Sequence, residues 1–513
     1  MHTRRTPALA RVFPVALAVA ATLGGSACVL AQTETSSNML TIYSTARPGA
    51  IPAELYRNGG SGQNVPGYAV VRHERSLALE RARNTVRFTD VAALIDPTTV
   101  AFESLTDPRG THVVEQNFQF DLVNTAKLLQ KYVDRNITVD QVRGNGVESF
   151  TGTLLSTAGG LVLRHPDGTI QTVPHNAGVR LPELPGGLIT RPTLIWDIAA
   201  SKPGTHRSRV SYQTTGITWW ADYNVTYAGG ANANTCRLDV GAWVSILNQS
   251  GAGYPDAKLK LVAGDVHRAA PPGRVRAAMD AARPMMAESK AAGFEEKAFF
   301  EYHLYTLGRP TTLPDNSTKQ IELFAAARGV PCEKTLVYYG LTPGYYGSSP
   351  MTDRNYGTQS NSKVDVYLGF RNSPENNMGM PLPAGRIRVS KLDDADKTLE
   401  FIGEDTIDHT PSKEKVLIKL GSAFDVVGER RQVNFSVDTT RKTMTEEIEV
   451  KLRNQKKEAV TVIVKENLYR WVNWSIAQKS HGYEKQDART VHFPVRIAAG
   501  AEATVRYTVQ YSW

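Results

Sequence analysis

The sequence predicts a mainly β protein with several domains, and three observations carry that prediction. The chain has 513 residues, which exceeds what one hydrophobic core usually organises. Apolar and polar residues alternate through the C-terminal part, over residues 448–452, 460–464, 491–497 and 505–513. No long helical patterns separate these segments, which argues against a parallel α/β sheet. An immunoglobulin-like β-sandwich therefore best explains the C-terminal region.

The N-terminus has the pattern of a signal peptide. Three arginines lie within the first eleven residues, and the apolar stretch at residues 12–23 is too short to span a bilayer. Small residues lead to a cleavage site after Ala31, so we expect the mature protein to be periplasmic or secreted in a bacterium. The alternative is a lipid anchor at Cys28, because the residues before it partly fit a lipobox.

The basic composition narrows the expected partners. The formal net charge is +9, but no block of lysine and arginine and no recognition motif accompanies it, so nucleic acid is not expected. A basic exported protein could lie against an anionic envelope polymer, lipid or protein, or its charge could simply be dispersed over the surface. After the signal peptide no apolar stretch reaches the roughly twenty residues of a membrane helix, so no transmembrane helix is expected.

Composition and periodicity divide the chain into six segments. Polar, glycine-rich residues predict a flexible lead-in. An amphipathic helix that starts at Asn124 or Thr125 is predicted to cover a sheet. Short strands separated by glycines predict a small barrel-like unit. The predicted segments are signal peptide 1–31, lead-in 32–66, N-terminal β-rich domain with one helix 67–135, small β-barrel-like unit 136–189, first part of a larger β domain 190–377 with a mobile insertion 271–297, and C-terminal β-sandwich 378–513.

Three groups of ordered motifs resemble a known bacterial family. They are ITWWADY (217–223), WVSILNQSG (243–251) and DAKLKLVAGD (256–265), then EYHLY (301–305), RPTTL (309–313) and NSTKQI (316–321), and finally LPAG (382–385) with FIGED (401–405). Over residues 190–513 the chain resembles the family called domain of unknown function 4139. The resemblance implies a β-rich domain of exported or envelope-associated proteins. Many relatives carry a coiled coil before this domain, which has no counterpart here, and the family supplies no catalytic residues to carry over.

The first candidate for chemistry is the pair Glu301 and His303. If both lie on one strand, they face the same side and could ligate a metal or act as an acid/base pair. They belong to a concentration of reactive side chains that also contains Arg309, Asp315, Lys319 and Glu322. The alternative is structural: Tyr302 and Leu304 pack inward, and Glu301 and His303 occupy the outer face.

The second candidate is Glu404 and Asp405 with Asp408 and His409. Their oxygen ligands could bind a divalent cation, although the spacing is not that of an EF-hand. A solvated strand end explains the same residues.

The cysteines and the catalytic motifs known from other proteins indicate less about the function. Cys236 and Cys332 could form a disulfide in an oxidising compartment or remain two buried thiols. The sequence has no G-x-S-x-G elbow, H-E-x-x-H or C-x-x-C motif and no phosphate-binding loop, so no cofactor is expected.

Two groups of aromatic residues could contact a ligand. Trp219, Trp220, Tyr223 and Trp243 could stack against a carbohydrate, or they could serve as core and edge packing. The second group consists of Tyr339, Tyr345 and Tyr346. They lie in a glycine-rich segment that could form a partner-binding loop.

These features predict a binding or scaffolding protein of the cell envelope rather than an enzyme, since no coherent catalytic set is present. One alternative is a metal-dependent envelope hydrolase centred on Glu301 and His303. Another is an outer-membrane β-barrel component, suggested by the alternating aromatic residues that lead to Trp513.

Overall fold

The structure is a computed structural model, and it describes residues 37–46, 49, 51–52, 54–55, 62–119, 121, 123–143, 146–174, 178–264, 266–267, 294–341, 349–358 and 360–513. The predicted signal peptide, Cys28, Asp265, Tyr345, Tyr346 and residues 271–293 of the predicted insertion lie outside these residues.

The predicted fold class is confirmed: the described chain is mainly β, with its strands in four sheets. Among the helices of the described residues, none combines the length and the apolar character that crossing a membrane requires.

The first sheet has eight strands in the order β16-β17-β15-β1-β2-β12-β4, with β18 paired to β15. Its strands, numbered in chain order, are β1 (Ser37–Ser44), β2 (Gly67–Leu79), β4 (Ile95–Ser104), β12 (Gly204–Thr214), β15 (Tyr254–Ala263), β16 (Phe294–Phe299), β17 (Tyr302–Leu307) and β18 (Thr311–Leu313).

Two strands of this sheet correct the predicted segments. The flexible lead-in was wrong for Ser37–Ser44, because β1 lies in the middle of the sheet, antiparallel to β2 and parallel to β15. Leu40 and Ile42 of β1 are fully buried, and burial of this apolar surface offsets the cost of ordering the strand. The mobile insertion also ends earlier than predicted, since β16 already begins at Phe294.

A three-stranded sheet in the order β3-β11-β5 shares the core of the eight-stranded sheet. Its strands are β3 (Ala82–Thr89), β5 (Thr111–Gln119) and β11 (Thr193–Ala200). Trp196 of β11 is fully buried and contacts Phe88 and Phe102, so aromatic packing joins the two sheets.

A five-stranded sheet and one helix form a separate small core. The strands are β6 (Asn136–Arg143), β7 (Gly146–Ser156), β8 (Leu161–Arg164), β9 (Ile170–Val173) and β10 (Gly178–Arg180), in the order β10-β6-β7-β8-β9. The sheet is open within the described residues, so the predicted barrel-like unit is an antiparallel sheet instead. Helix α1 (Thr125–Lys131) starts as predicted, with Asn124 accepting a hydrogen bond from the backbone of Lys127, and its Leu129 covers this sheet.

The last sheet has thirteen strands and runs through two sandwiches. The strands are β13 (Ile217–Gly229), β14 (Thr235–Asn248), β19 (Ser317–Tyr338), β20 (Lys363–Arg371), β21 (Gly385–Leu392), β22 (Leu399–Ile407), β23 (Lys415–Asp438), β24 (Thr443–Asn454), β25 (Val460–Asn467), β26 (Trp474–Lys479), β27 (Glu484–Lys485), β28 (Thr490–Ile497) and β29 (Glu502–Ser512). The main path is β22-β21-β13-β14-β19-β20-β23-β24-β29-β26, and β25 pairs with β19 and β28.

Two long strands connect the sandwiches. The first sandwich has one core, which the eight-stranded sheet, the three-stranded sheet and part of the thirteen-stranded sheet share. Strands β19 and β23 contribute to this core near their starts and to the core of the C-terminal sandwich near their ends. The C-terminal core is built mainly by β24, β25, β28 and β29, the strands that the alternating pattern predicted. Strand β21 packs in the first sandwich, although the sequence placed it with the C-terminal one.

The two cysteines lie opposite each other at the junction between the sandwiches. Cys236 of β14 is the direct partner of Cys332 of β19, and a disulfide joins them. Of the two alternatives that the sequence left open, the structure therefore contains the disulfide.

Two buried ion pairs lie in the C-terminal sandwich. Arg470 and Glu446 are 3.0 Å apart and their side chains are 0% and 1% exposed. Arg430 and Glu466 are also 3.0 Å apart, and Tyr507 donates a hydrogen bond to Glu466. Burial raises the pKa of Tyr507, so its hydroxyl stays protonated and available as a donor.

The guanidinium groups of these pairs also bind the backbone of residues 349–358. Arg470 donates to the carbonyl oxygens of Met351, Asp353 and Tyr356, and Arg430 donates to that of Gly357. The buried charges therefore attach this segment to the sandwich.

A buried histidine lies in the first sandwich. The ring of His73 contacts Asn38 and Tyr212 at 2.7 and 3.1 Å. Burial, reinforced by the positive charge of Arg75, lowers the pKa of His73 from 6.5 to about 3, against the opposite effect of Asp90. The folded protein therefore holds this ring in its neutral form.

This pKa predicts a loss of stability in mild acid. Between pH 6.5 and pH 3 the unfolded state binds a proton at His73 that the folded state does not, so stability falls as the pH falls. From pH 7.5 to pH 5 we expect His73 to lower the free energy of unfolding by about 2 kcal/mol. Denaturant titrations should show this loss in the wild type and in an exposed control, His112→Gln, but not in His73→Gln. An equal loss in His73→Gln would contradict the prediction.

Candidate functional site

The structure does not place Glu301 and His303 together on one strand. Glu301 is exposed in the turn between β16 and β17, and β17 begins only at Tyr302, so the predicted common face was wrong. His303 instead pairs across the hairpin with Glu296, whose Oε1 lies 2.6 Å from the ring Nδ1. Nothing in the described part of the chain brings three histidine, cysteine or acidic side chains into a metal-binding group.

The four other reactive side chains near Glu301 and His303 in the sequence are also dispersed in the structure. Asp315 accepts a hydrogen bond from the backbone of Gly251, and Lys319 donates to the carbonyl oxygen of Thr312. Arg309 and Glu322 both border a cavity beside β19. The sequence neighbours therefore serve three different local structures.

The second predicted group separates in the same way. Asp405 accepts hydrogen bonds from the backbone of Thr406 and Lys419, and His409 accepts one from the backbone of Ala384. The carbonyl oxygen of Asp408 accepts from Thr410. Glu404 lies 3.5 Å from Arg388, so it is the member of this group that reaches the pocket described below.

The four aromatic residues of β13 and β14 do not form one platform. Trp219 and Tyr223 are buried in the core, whereas Trp220 lies on the opposite face of β13. Trp243 is 39% exposed on β14. In the predicted partner-binding loop, Tyr339 has the ammonium of Lys465 5.2 Å from its ring.

A polar pocket occupies the outer face of the thirteen-stranded sheet. Alternation along β13 buries Trp219, Ala221 and Tyr223 and directs Trp220 and Asp222 to this face. The neighbouring strands add polar side chains at the same level, and we call the site the Asp222 pocket. Its lining residues are Gly49, Ile51, Trp220, Asp222, Ser245, Thr318, Gln320, Arg386 and Arg388.

Asp222 is the centre of the pocket and is only 6% exposed. Its Oδ2 accepts hydrogen bonds from the indole of Trp220 at 2.7 Å and from the hydroxyl of Ser245 at 3.3 Å. Gln320 in turn donates to Ser245 at 3.0 Å. These contacts hold the carboxylate in one orientation, with its other oxygen directed towards the arginines.

That second oxygen has no hydrogen-bond partner among the described residues. Asp222 Oδ1 lies 3.6 Å from Arg386 Nε and 3.6 Å from Arg388 Nη1, which is too far for a hydrogen bond. Arg386 Nε is likewise buried without a hydrogen-bond partner in this part of the structure. A buried acceptor and a buried donor therefore face each other, and leaving both unsatisfied is costly.

The strand that carries the arginines approaches β13 closely. Strand β21 is parallel to β13, and Gly385 lies opposite Ala221. A Cβ atom on Gly385 would stand 2.5 Å from the carbonyl oxygen of Ala221, so only glycine allows this approach. Arg386 and Arg388 follow at alternate positions and therefore share the face of Asp222.

The charges of the pocket balance. Arg386 and Arg388 are opposed by Asp222, and Glu404 lies at the outer side of Arg388. An anion would meet Asp222 and a cation would meet the arginines, so an uncharged ligand is favoured. The cavity measures about 210 Å³, below the roughly 300–1,000 Å³ of drug-sized sites, and therefore suits a small molecule.

One chemical group could form hydrogen bonds with both Asp222 Oδ1 and Arg386 Nε. A hydroxyl can accept a hydrogen bond from Arg386 Nε and donate one to Asp222 Oδ1 at the same time. Ser245 and Gln320 offer further polar atoms, and Trp220 provides an apolar surface. The arrangement can therefore hold a hydroxylated molecule in a defined orientation.

The contact between Ser104 and His206 has the residue types of a catalytic pair, but its geometry is structural. Ser104 and His206 are 3.1 Å apart, both are buried, and the other ring nitrogen of His206 contacts the carbonyl oxygen of Lys202. Asp107 binds Ser201 rather than the histidine. Both ring nitrogens of His206 therefore already contact polar atoms of the protein, and neither is available to a substrate.

Sequence reasoning missed most of the pocket. It named Trp220 as an aromatic and Glu404 as a metal candidate, but it did not single out Asp222, Arg386 or Arg388. Two signals were present: one acidic residue within the apolar run of β13, and two arginines alternating with apolar residues in β21. A charge within a buried strand requires a partner, which would have directed attention to such residues.

In comparisons with known proteins, no family model, curated protein or solved structure matches this chain. The fold and the pocket define it as a multi-sheet β-sandwich protein with a polar pocket.

Proposed function

We propose that this protein is an exported protein of the cell envelope that binds an uncharged, hydroxyl-rich small molecule, such as a sugar ring or a polyol, in the Asp222 pocket. The observation that carries the proposal is that the buried Asp222 Oδ1 and Arg386 Nε lie 3.6 Å apart and neither has a hydrogen-bond partner among the described residues. A ligand hydroxyl would complete both, and each hydrogen bond to a charged group contributes about 1.5–3 kcal/mol.

Binding explains this site better than catalysis. The carboxylate is held by Trp220 and Ser245 and is adjacent to two arginines, which suits recognition of a ligand. The signal-peptide pattern supports export, where glycans and polyols of the envelope would be accessible.

The pocket also bears on the family resemblance. Trp220, Asp222, Ser245 and Gln320 all lie within segments that carry the likeness to domain of unknown function 4139. We therefore propose membership of that family, with the pocket as a binding site of its β domain.

Calorimetric titration with D-glucose, N-acetylglucosamine, glycerol and myo-inositol tests the proposal, with phosphate and acetate as charged probes. We expect at least one neutral compound to bind and the anions not to compete. Asp222→Asn should weaken that binding about 10- to 100-fold, because a neutral amide replaces the charged acceptor.

Asp140→Asn is the matched control, because Asp140 also accepts hydrogen bonds from an arginine, Arg180, and a serine, Ser149, but lies in the five-stranded sheet. Circular dichroism melts would verify that both variants fold. Equal binding by Asp222→Asn and wild type, or binding of anions alone, would refute the proposal.

A further inference from the structure

The first half of β19 has a free edge. On one side β19 pairs with β14 from Ser317 to Glu333, with shifts in register between Glu322 and Val330. On the other side it pairs with β20, but only from Cys332 to Tyr338. Within the described residues, the earlier part of β19 therefore has no strand on this second side. Alternate backbone N–H and C=O groups of an unpaired edge point outwards and can pair with another strand.

The chain leaves this edge open because β20 ends at Arg371 and a loop follows. Buried Asn372 organises the loop: its amide donates to the carbonyl oxygens of Met380 and Pro411, and its Oδ1 accepts from the backbone of Gly379. These bonds hold the loop in a fixed shape, and a cavity separates it from residues 321–325 of β19.

A cavity of about 440 Å³ lies between the loop and the edge. Its apolar side chains come from three elements: Phe294 and Leu307 of the β16–β17 hairpin, Ile321 and Leu323 of β19, and Met378 and Met380 of the loop. Methionine side chains are flexible and can adapt to different ligands.

The rim of the cavity carries both charge signs. Arg309 and Glu322 are exposed there, and in the described part of the chain neither has an ion-pair partner. A ligand with side chains of both signs would complement this rim, as a peptide can.

We propose that an extended peptide segment of another exported protein binds here by adding a strand along residues 321–325 of β19. Its backbone would satisfy the free edge, one large apolar side chain would enter the cavity, and flanking charges would face Arg309 and Glu322. An acyl chain would fill the cavity but leave the backbone groups of the edge unpaired. This site is separate from the Asp222 pocket, so the two proposals stand independently.

The probe is a fluorescent seven-residue peptide in which threonine alternates with leucine, with lysine at one end and glutamate at the other. Fluorescence anisotropy with the full chain should show saturable binding. A version with proline at the central position lacks a backbone N–H and should bind at least tenfold more weakly. Equal binding of the proline peptide would overturn strand addition.

Variants locate the site. Met380→Trp fills the cavity and should weaken the peptide at least tenfold, whereas Leu399→Trp, on the exposed β21–β22 hairpin, should not. Asp222→Asn should bind the peptide like the wild type, which separates this result from the proposed function. If the peptide bound only after residues 268–293 were deleted, those residues would be the natural occupant of the edge, and the proposal of a separate partner would be overturned.

Discussion

Replacing Arg470 with methionine should lower the free energy of unfolding of the C-terminal sandwich by about 3–5 kcal/mol. The substitution leaves the Glu446 carboxylate buried at 1% exposure without its ion-pair partner. It also removes donors to the carbonyl oxygens of Met351, Asp353 and Tyr356. The cost of an uncompensated buried charge exceeds the gain from a more apolar side chain. Denaturant titration followed by tryptophan fluorescence would measure the difference in the free energy of unfolding between the variant and the wild type.

An ion pair with an exposed arginine provides the matched control. Arg431 pairs with Glu449 in the same sandwich, and the arginine side chain is 61% exposed whereas that of Glu449 is 9% exposed. Arg506 also pairs with Glu449, so the carboxylate keeps an ion-pair partner when Arg431 is replaced. Arg431→Met should therefore cost less than about 1 kcal/mol. The double variant Arg470→Met/Glu446→Leu should recover part of the loss, because no charge remains unpaired. Similar losses in Arg470→Met and Arg431→Met would show that burial does not determine the contribution of this pair.

Removing the disulfide should have an effect of similar size. Cys236 and Cys332 are separated by 96 residues, and a loop of this length restricts the unfolded chain enough to contribute about 4–5 kcal/mol. We expect Cys236→Ala/Cys332→Ala to lose most of that stability, and the loss should appear in the first sandwich, which contains Cys236. Denaturant titrations with and without dithiothreitol would measure it.

Two comparisons isolate the effect of the bond from that of the side chains. The wild type in reductant should approach the double variant, and the double variant should not respond to reductant. A reductant that leaves the wild type unchanged while the variant is destabilised would attribute the loss to packing of the cysteine side chains instead.

The sequence predicted the elements whose signals are local. Alternation of apolar residues identified β24, β25, β28 and β29, because one face of each strand packs in the C-terminal core. The start of α1 was also predictable, since Asn124 caps the helix through a bond to a residue three positions later. These signals lie within a dozen residues and depend little on the rest of the fold.

Long-range pairing explains the main errors. Strand β1 was assigned to a flexible lead-in because its surroundings are polar, but its partner β15 lies far along the chain. Glu301 and His303 were placed on one strand, whereas a turn before Tyr302 separates them and gives His303 a cross-strand partner, Glu296. A one-residue shift in register moves a side chain to the other face, and local composition does not reveal that shift.

The sequence by itself determined that this protein is mainly β and indicated export and binding, because strand periodicity, turn residues and signal-peptide composition are local properties. The tertiary structure alone decided where the candidate sites lie. Asp222, Ser245 and Arg386 meet because β21 is parallel to β13 and β14 is antiparallel to it. The pairing and register of strands distant in sequence set these contacts, through the shared burial of their apolar faces.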